Sequence, residues 1–150
     1  MATSSDQITQ DTPLLGTWSL LEWHNEDEDG ALSYTLGKDA TGYISYSADG
    51  FVFVHIMAAA RRDYAINDPF GGTLAEDSAA MKSQITYAGR YDFLGDKVVH
   101  HVTQASCPNW VGTKQHRNVQ FMGDQLQLSA AGAMIDGKTV TARLLWERAV

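Results

Sequence analysis

The sequence predicts an all-β fold: an eight-stranded, mostly antiparallel barrel with one helix inserted between the third and fourth strands. Three observations carry this. Short β-rich runs recur at regular spacing along the chain, and Asp49-Gly50, Gly95-Asp96 and Gly123-Asp124 punctuate them. Such dipeptides are the tight-turn chemistry of antiparallel neighbours, and many short strands joined this way make a barrel or sandwich. One segment departs from the pattern, with a helix-start signal and helical spacing.

Taken in order, residues 1–13 are polar and aperiodic and read as a loose lead-in, leaving 14–150 as a single barrel domain. The first strand covers about Gly16 to Glu26 and meets an acidic turn ending at Asp29-Gly30. The second runs from about Thr41 to Ser47, and Asp49-Gly50 turns it into the third, Phe51 to Ala58. That third strand is apolar on both faces. Phe51, Phe53, His55 and Met57 are assigned to the interior, and the opposite face is expected to be covered by the helix. Thr73 and Glu76 form a capping box, in which the Thr oxygen accepts an amide and the Glu reaches back. Leu74, Ser78, Met81 and Ile85 follow at helical spacing, giving a helix over about Leu74 to Gln84. The intervening Ala59–Gly72 has the length of a lid or mouth loop. Five strands complete the barrel: Gly89–Leu94, Lys97–Ser106, Lys114–Met122, Gln125–Ala130 and, after a Gly-rich turn, Thr139–Glu147.

Composition bounds the function. The chain has 150 residues, 44% hydrophobic and 19% charged, enough for one core without disulfide or metal staples. Eighteen acids against eleven bases give a net charge of −7, which repels phosphate backbones and argues against nucleic acid. No run is long and apolar enough to span a membrane as a helix. Met1 through Pro13 lacks the layout of a secretory signal, and the lone Cys107 fits a reducing compartment, so the cytoplasm is the expected location.

Several motifs carry a resemblance. Leu14-Leu15-Gly16-Thr17-Trp18 opens the first strand, followed by Gly42-Tyr43-Ile44-Ser45-Tyr46 with Asp49-Gly50, and by His100-His101-Val102. Pro108-Asn109-Trp110-Val111-Gly112, Arg117 and Leu145-Trp146-Glu147-Arg148 complete the series. Together they resemble the bacterial and fungal lipocalin-like domain family, over about Leu14 to Arg148. The resemblance implies a lipocalin-like barrel around a small-molecule pocket, with Trp18 closing the floor, and no single activity. One stretch departs from it: Arg61-Arg62-Asp63-Tyr64 stands where many members carry an Arg-Pro pair, so the lid is expected to differ in shape.

The chemistry-bearing candidates come from strand alternation. Arg117 shares a face with Gln115, Val119 and Phe121, which puts a guanidinium on the apolar side. A buried arginine needs a partner. That partner is either a ligand oxyanion or an interior acid, and Glu22, in line with Trp18 and Leu20, is the acid considered. His100 alternates with Val98 and Val102, and His101 with Val99 and Thr103, so one of the pair lines the interior and which one stays open. Matching Val98 and Val102 with Val119 and Phe121 through the Cys107–Thr113 hairpin favours His100 on the Arg117 face, where it could transfer a proton. His55 is the second interior histidine. Tyr46 and Tyr91 are assigned to the pocket, with Tyr43 and Tyr87 as further phenols, although such rings more often simply pack. Phe53, Met57, Val102, Trp110, Val119 and Phe121 are the apolar contacts expected for a ligand. Zinc-like spacing is absent, as are nucleotide and hydrolase motifs, so neither metal nor cofactor is expected.

Two functional readings follow. The favoured one is a cofactor-independent enzyme of isomerase, cyclase or hydratase/lyase type, in which His100, Arg117 and His55 act on a small apolar or ring-containing metabolite. The alternative is a non-catalytic carrier in which the same groups only orient a small hydrophobic or aromatic ligand. A barrel filled by its own side chains is the blandest reading, and a homodimer is left open.

Overall fold

A computed structural model describes residues 11–150. Its strands are β1 (Gly16–Asp27), β2 (Leu32–Ser33), β3 (Thr41–Tyr46), β4 (Phe51–Met57), β5 (Gln84–Phe93), β6 (Lys97–Ala105), β7 (Lys114–Met122), β8 (Gln125–Ile135) and β9 (Lys138–Arg148). Successive strands pair antiparallel, and β1 pairs with β9 to close the sheet. The two-residue β2 only flanks the end of β1. The barrel therefore has eight strands, and the helix α1 (Leu74–Lys82) lies between the third and fourth of them, as the sequence predicts. Of the expected lead-in, residues 1–10 lie outside the described residues. Thr12 is buried, and its hydroxyl accepts the Leu14 amide at 2.9 Å.

Trp18 closes one end. Its indole donates to the Leu14 carbonyl at 2.9 Å, and the Arg148 guanidinium lies 3.9 Å above its ring while donating to the carbonyls of Leu15 and Pro13. Above this floor Tyr46, Val52, Tyr91, Val98 and Leu126 pack as a solid core. Tyr46 and Tyr91 meet edge to face at 4.9 Å.

Four local details correct the sequence reading, and each has a mechanical cause. First, the Ser47–Gly50 turn sets the β3–β4 register so that Ile44 opposes Val54 and Tyr46 opposes Val52. Directly opposed residues share a face. Val52, Val54 and Ile56 therefore point inward, while Phe53, His55 and Met57 stand on the outer surface opposite Ser45, Tyr43 and Thr41. The interior assignment of those three is overturned.

Second, α1 does not cover that outer face. The capping box forms, with Thr73 Oγ1 accepting from Glu76 N–H and Glu76 accepting from Thr73 N–H. Yet no helix residue is buried, and Leu74 and Met81 are exposed. The helix is tied to the preceding loop by Arg61, which donates to Ser83 and to the Ala80 carbonyl, and by Tyr64, which donates to Asp77.

Third, α1 stops at Lys82, so β5 begins at Gln84, five residues before the sequence places it. Ile85 belongs to this strand, whose inward parity is Ile85, Tyr87, Gly89, Tyr91. A bulge between Ala88 and Gly89 brings β5 so close to β6 that a Cβ at Gly89 would overlap the His101 carbonyl oxygen. Fourth, β8 runs on to Ile135 through a bulge between Ala130 and Ala133, and the turn that follows is Asp136-Gly137, both at positive φ.

Candidate functional site

The core fills only the floor end of the barrel. Above it lies a cavity of about 400 Å³. Its walls are mainly apolar: Trp23 from β1, Val54 and Ile56 from β4, Ile85 from β5, Leu128 from β8 and Leu144 from β9. Trp110, in the short helix before β7, and the Ala131-Gly132 bulge of β8 complete the lining.

A bulge in β1 explains one wall. The register against β9 shifts between Leu20 and Glu22, leaving Leu21 unopposed. Because side chains alternate, one extra residue exchanges the faces beyond it. Trp23 and Asn25 therefore turn inward, and Asn25 is fully buried between Trp23 Nε1, which donates to it, and Thr35, to which it donates. Glu22 turns away and pairs with His24 at 3.2 Å. It is not the interior partner of Arg117.

A line of three hydrogen-bonding side chains crosses from core to cavity. His100, 1% exposed, has Nε2 2.8 Å from the Tyr46 hydroxyl and Nδ1 2.7 Å from the Tyr87 hydroxyl. Burial, reinforced by the nearby Arg117 and His101 charges, pushes the His100 pKa down to about 3, so the imidazole is neutral at physiological pH. A neutral imidazole donates from one nitrogen and accepts at the other. Tyr46 lies below the cavity, fully buried, with His100 as its hydroxyl's partner among the described residues. A buried hydroxyl left without an acceptor is costly, so Tyr46 donates to Nε2. His100 then donates from Nδ1 to the Tyr87 oxygen, and the Tyr87 proton is left for the cavity. Burial raises the pKa of both tyrosines, so both remain phenols; Arg117 opposes the rise at each.

Arg117 and Gln115 occupy the β7 wall. Arg117 donates to the His116 carbonyl at 2.9 Å and to Gln115 Oε1 at 3.3 Å, while Gln115 donates to Thr113. On the wall formed by β6 and β7, Val98 opposes Arg117 and His100 opposes Gln115, so the arginine and histidine share the inner face. His101 faces out, where it pairs with Asp92 at 2.6 Å.

Of the residues predicted from sequence, His100, Arg117 and Trp110 line the cavity. Tyr46, Tyr91 and Val102 are buried in the core beneath it, and Tyr91 donates to the Ser47 carbonyl. Val119 is half-buried against the core, and Phe121 lies 6.4 Å from Trp18 at the floor. His55, Phe53 and Met57 are outside. Trp23, Gln115 and Trp146 belong to the lining and were not assigned to it, and Tyr87, named only as a further phenol, belongs to it as well. Tyr87 had a readable signal, its parity with Ile85 and Tyr91, masked by ending the helix too late. Trp146 is 1% exposed, and its indole N–H has no hydrogen-bond partner among the described residues.

A closed up-and-down barrel with a floor tryptophan, an arginine stacked on it and a mainly apolar internal cavity is a lipocalin-like architecture. The chain belongs to the lipocalin-like domain family, whose sequence profile matches residues 15–149. It is also similar to the 4'-hydroxy-3'-methoxypropiophenone carrier protein ppsC of Aspergillus oryzae, 35% identical over 86 aligned residues that cover 51% of this chain and 78% of that protein. No solved structure matches the chain.

Proposed function

We propose that this protein is a non-catalytic carrier or binding protein for a small, ring-containing, mostly apolar molecule held in the barrel cavity. The observation that carries the reading is the cavity itself, about 400 Å³ of mainly apolar space with a few polar groups on one side. That size and mixture are those of a small-molecule site. The similarity to a fungal carrier of an aryl ketone supports the same class of ligand.

The enzyme favoured from sequence needs His100 to take up and release a proton. Its pKa of about 3 and the tyrosine hydroxyl at each ring nitrogen argue against that role. The same arrangement suits a rigid hydrogen-bond donor: His100 orients Tyr87, and Tyr87 meets the ligand.

Three of the four tryptophans, Trp23, Trp110 and Trp146, line the cavity, so intrinsic fluorescence reports its occupancy. Titration with 4'-hydroxy-3'-methoxypropiophenone is expected to quench that fluorescence saturably, and chromatography after long incubation is expected to return the compound unchanged. Conversion to a new product would overturn the carrier reading in favour of catalysis. Absence of saturable binding to this and related aryl ketones would count against the proposed ligand class.

A further inference from the structure

The polar groups of the cavity are not a mixture of donors and acceptors. None of the side chains lining it is Asp or Glu. The Gln115 amide is engaged, its oxygen by Arg117 and its nitrogen with Thr113. What remains unengaged is a set of N–H and O–H groups. Arg117 spends two donors on neutral oxygens, lies within hydrogen-bonding influence of the Tyr87 hydroxyl, and forms no ion pair among the described residues, so its charge is uncompensated. Tyr87 has its proton free, by the donor count that begins at Tyr46.

A half-buried guanidinium with no ion pair among the described residues, beside a phenol whose proton is free, suits one ligand chemistry, an anionic oxygen. We propose that the cavity selects an organic oxyanion: an apolar, ring-bearing molecule with a phenolate, enolate or carboxylate oxygen held by Arg117 and the Tyr87 hydroxyl. This rests on the binding reading above and adds the charge state of the ligand. The protein as a whole carries −7, so its overall field disfavours an anion. Selectivity for one is therefore a property of this wall.

The test uses two probes of one shape on the full chain, 4-nitrophenol and its methyl ether 4-nitroanisole, with affinities from equilibrium dialysis. At a pH where the free phenol is ionised, the phenolate is expected to bind at least about tenfold more tightly than the ether, the scale of a charge-assisted hydrogen bond. The visible absorbance of bound 4-nitrophenol, followed against pH, should show ionisation moved down by about one unit or more, because a site that prefers the anion makes the proton easier to lose. The titratable or charged side chains that face the cavity, among the described residues, are Tyr87, His100 and Arg117, and the exposed His116 borders it on β7. In Arg117→Gln the phenolate-to-ether ratio should fall toward one.

Equal affinity for the two probes, with an unshifted ionisation, would overturn the oxyanion proposal and leave cavity binding standing. Binding of neither probe would overturn both. A ratio that persists in Arg117→Gln would also overturn the proposal, and if that variant does not fold, the comparison in the parent protein decides alone.

Discussion

The Tyr87 hydroxyl lies 2.7 Å from Nδ1 of His100, and through it the packed floor of the barrel controls what its cavity presents. Tyr46 fixes which nitrogen of His100 is protonated, and His100 fixes which way Tyr87 donates; Tyr46 lies beneath the cavity, and His100 and Tyr87 line it. A donor oriented in advance lowers the ordering cost of binding.

Stability should depend on pH through His100. Its folded pKa of about 3 is below the ordinary 6.5. Between those values the unfolded chain binds a proton that the folded barrel refuses. Stability contributed by the neutral histidine is therefore complete above about 6.5 and lost as pH falls toward 3, by up to about 1.4 kcal/mol per pH unit. Carboxylates titrate in the same range, so the measurement is urea denaturation of the parent and of His100→Gln near pH 7 and near pH 4. The parent's advantage should shrink at the lower pH, and a difference independent of pH would refute the argument.

Removing the imidazole should also cost stability outright. His100→Leu leaves the Tyr46 and Tyr87 hydroxyls without their shared partner. Each orphaned buried group costs about 1–3 kcal/mol, so a loss of about 2–5 kcal/mol is expected near neutral pH. Thermal or urea denaturation reads it directly, and a variant as stable as the parent would mean that the chain of hydroxyls finds other partners.

Trp146 makes the opposite forecast. Replacing it with the isosteric β-(3-benzothienyl)alanine deletes only the N–H. Because that donor is unpaired in the free protein, stability should stay level or rise by about 1 kcal/mol or more. A destabilised variant would show that the indole is already satisfied without ligand.

The outer face of β4 should be indifferent to ligand. His55→Ala and Phe53→Ser alter exposed positions away from the cavity. Aryl-ketone affinity should match the parent's, with stability within about 0.5–1 kcal/mol of it. Loss of binding in folded His55→Ala would reinstate the interior histidine expected from sequence.

Gly89→Ala should be among the most damaging single changes. The added methyl meets the His101 carbonyl, and backbone on a paired strand cannot yield as a side chain can. A loss of about 3 kcal/mol or more is expected, larger than ordinary overpacking. A denaturation midpoint close to the parent's would mean that the β5–β6 bulge relaxes.

Strand number, barrel class, helix position and the inward turn of Arg117 were legible in the linear chain, whereas the choice between His100 and His101 was decided by pairing with β7. Turn dipeptides and two-residue alternation are local, and a strand polar on one side and apolar on the other, such as β7, declares its own inner face. Three other decisions were not local. β4 is apolar on both sides, so alternation alone cannot choose, and the turn at Ser47–Gly50 together with pairing to β3 turned Phe53, His55 and Met57 outward. In β1 a single bulged residue, Leu21, exchanged Glu22 for Trp23 at the cavity, and only the pairing with β9 reveals it. The boundary between α1 and β5 hid Tyr87, because Ile85 fits a helical repeat and a strand equally well. Sequence periodicity reports which side chains share a face, but which face is inside, and where one extra residue reverses it, is set by the neighbouring strand.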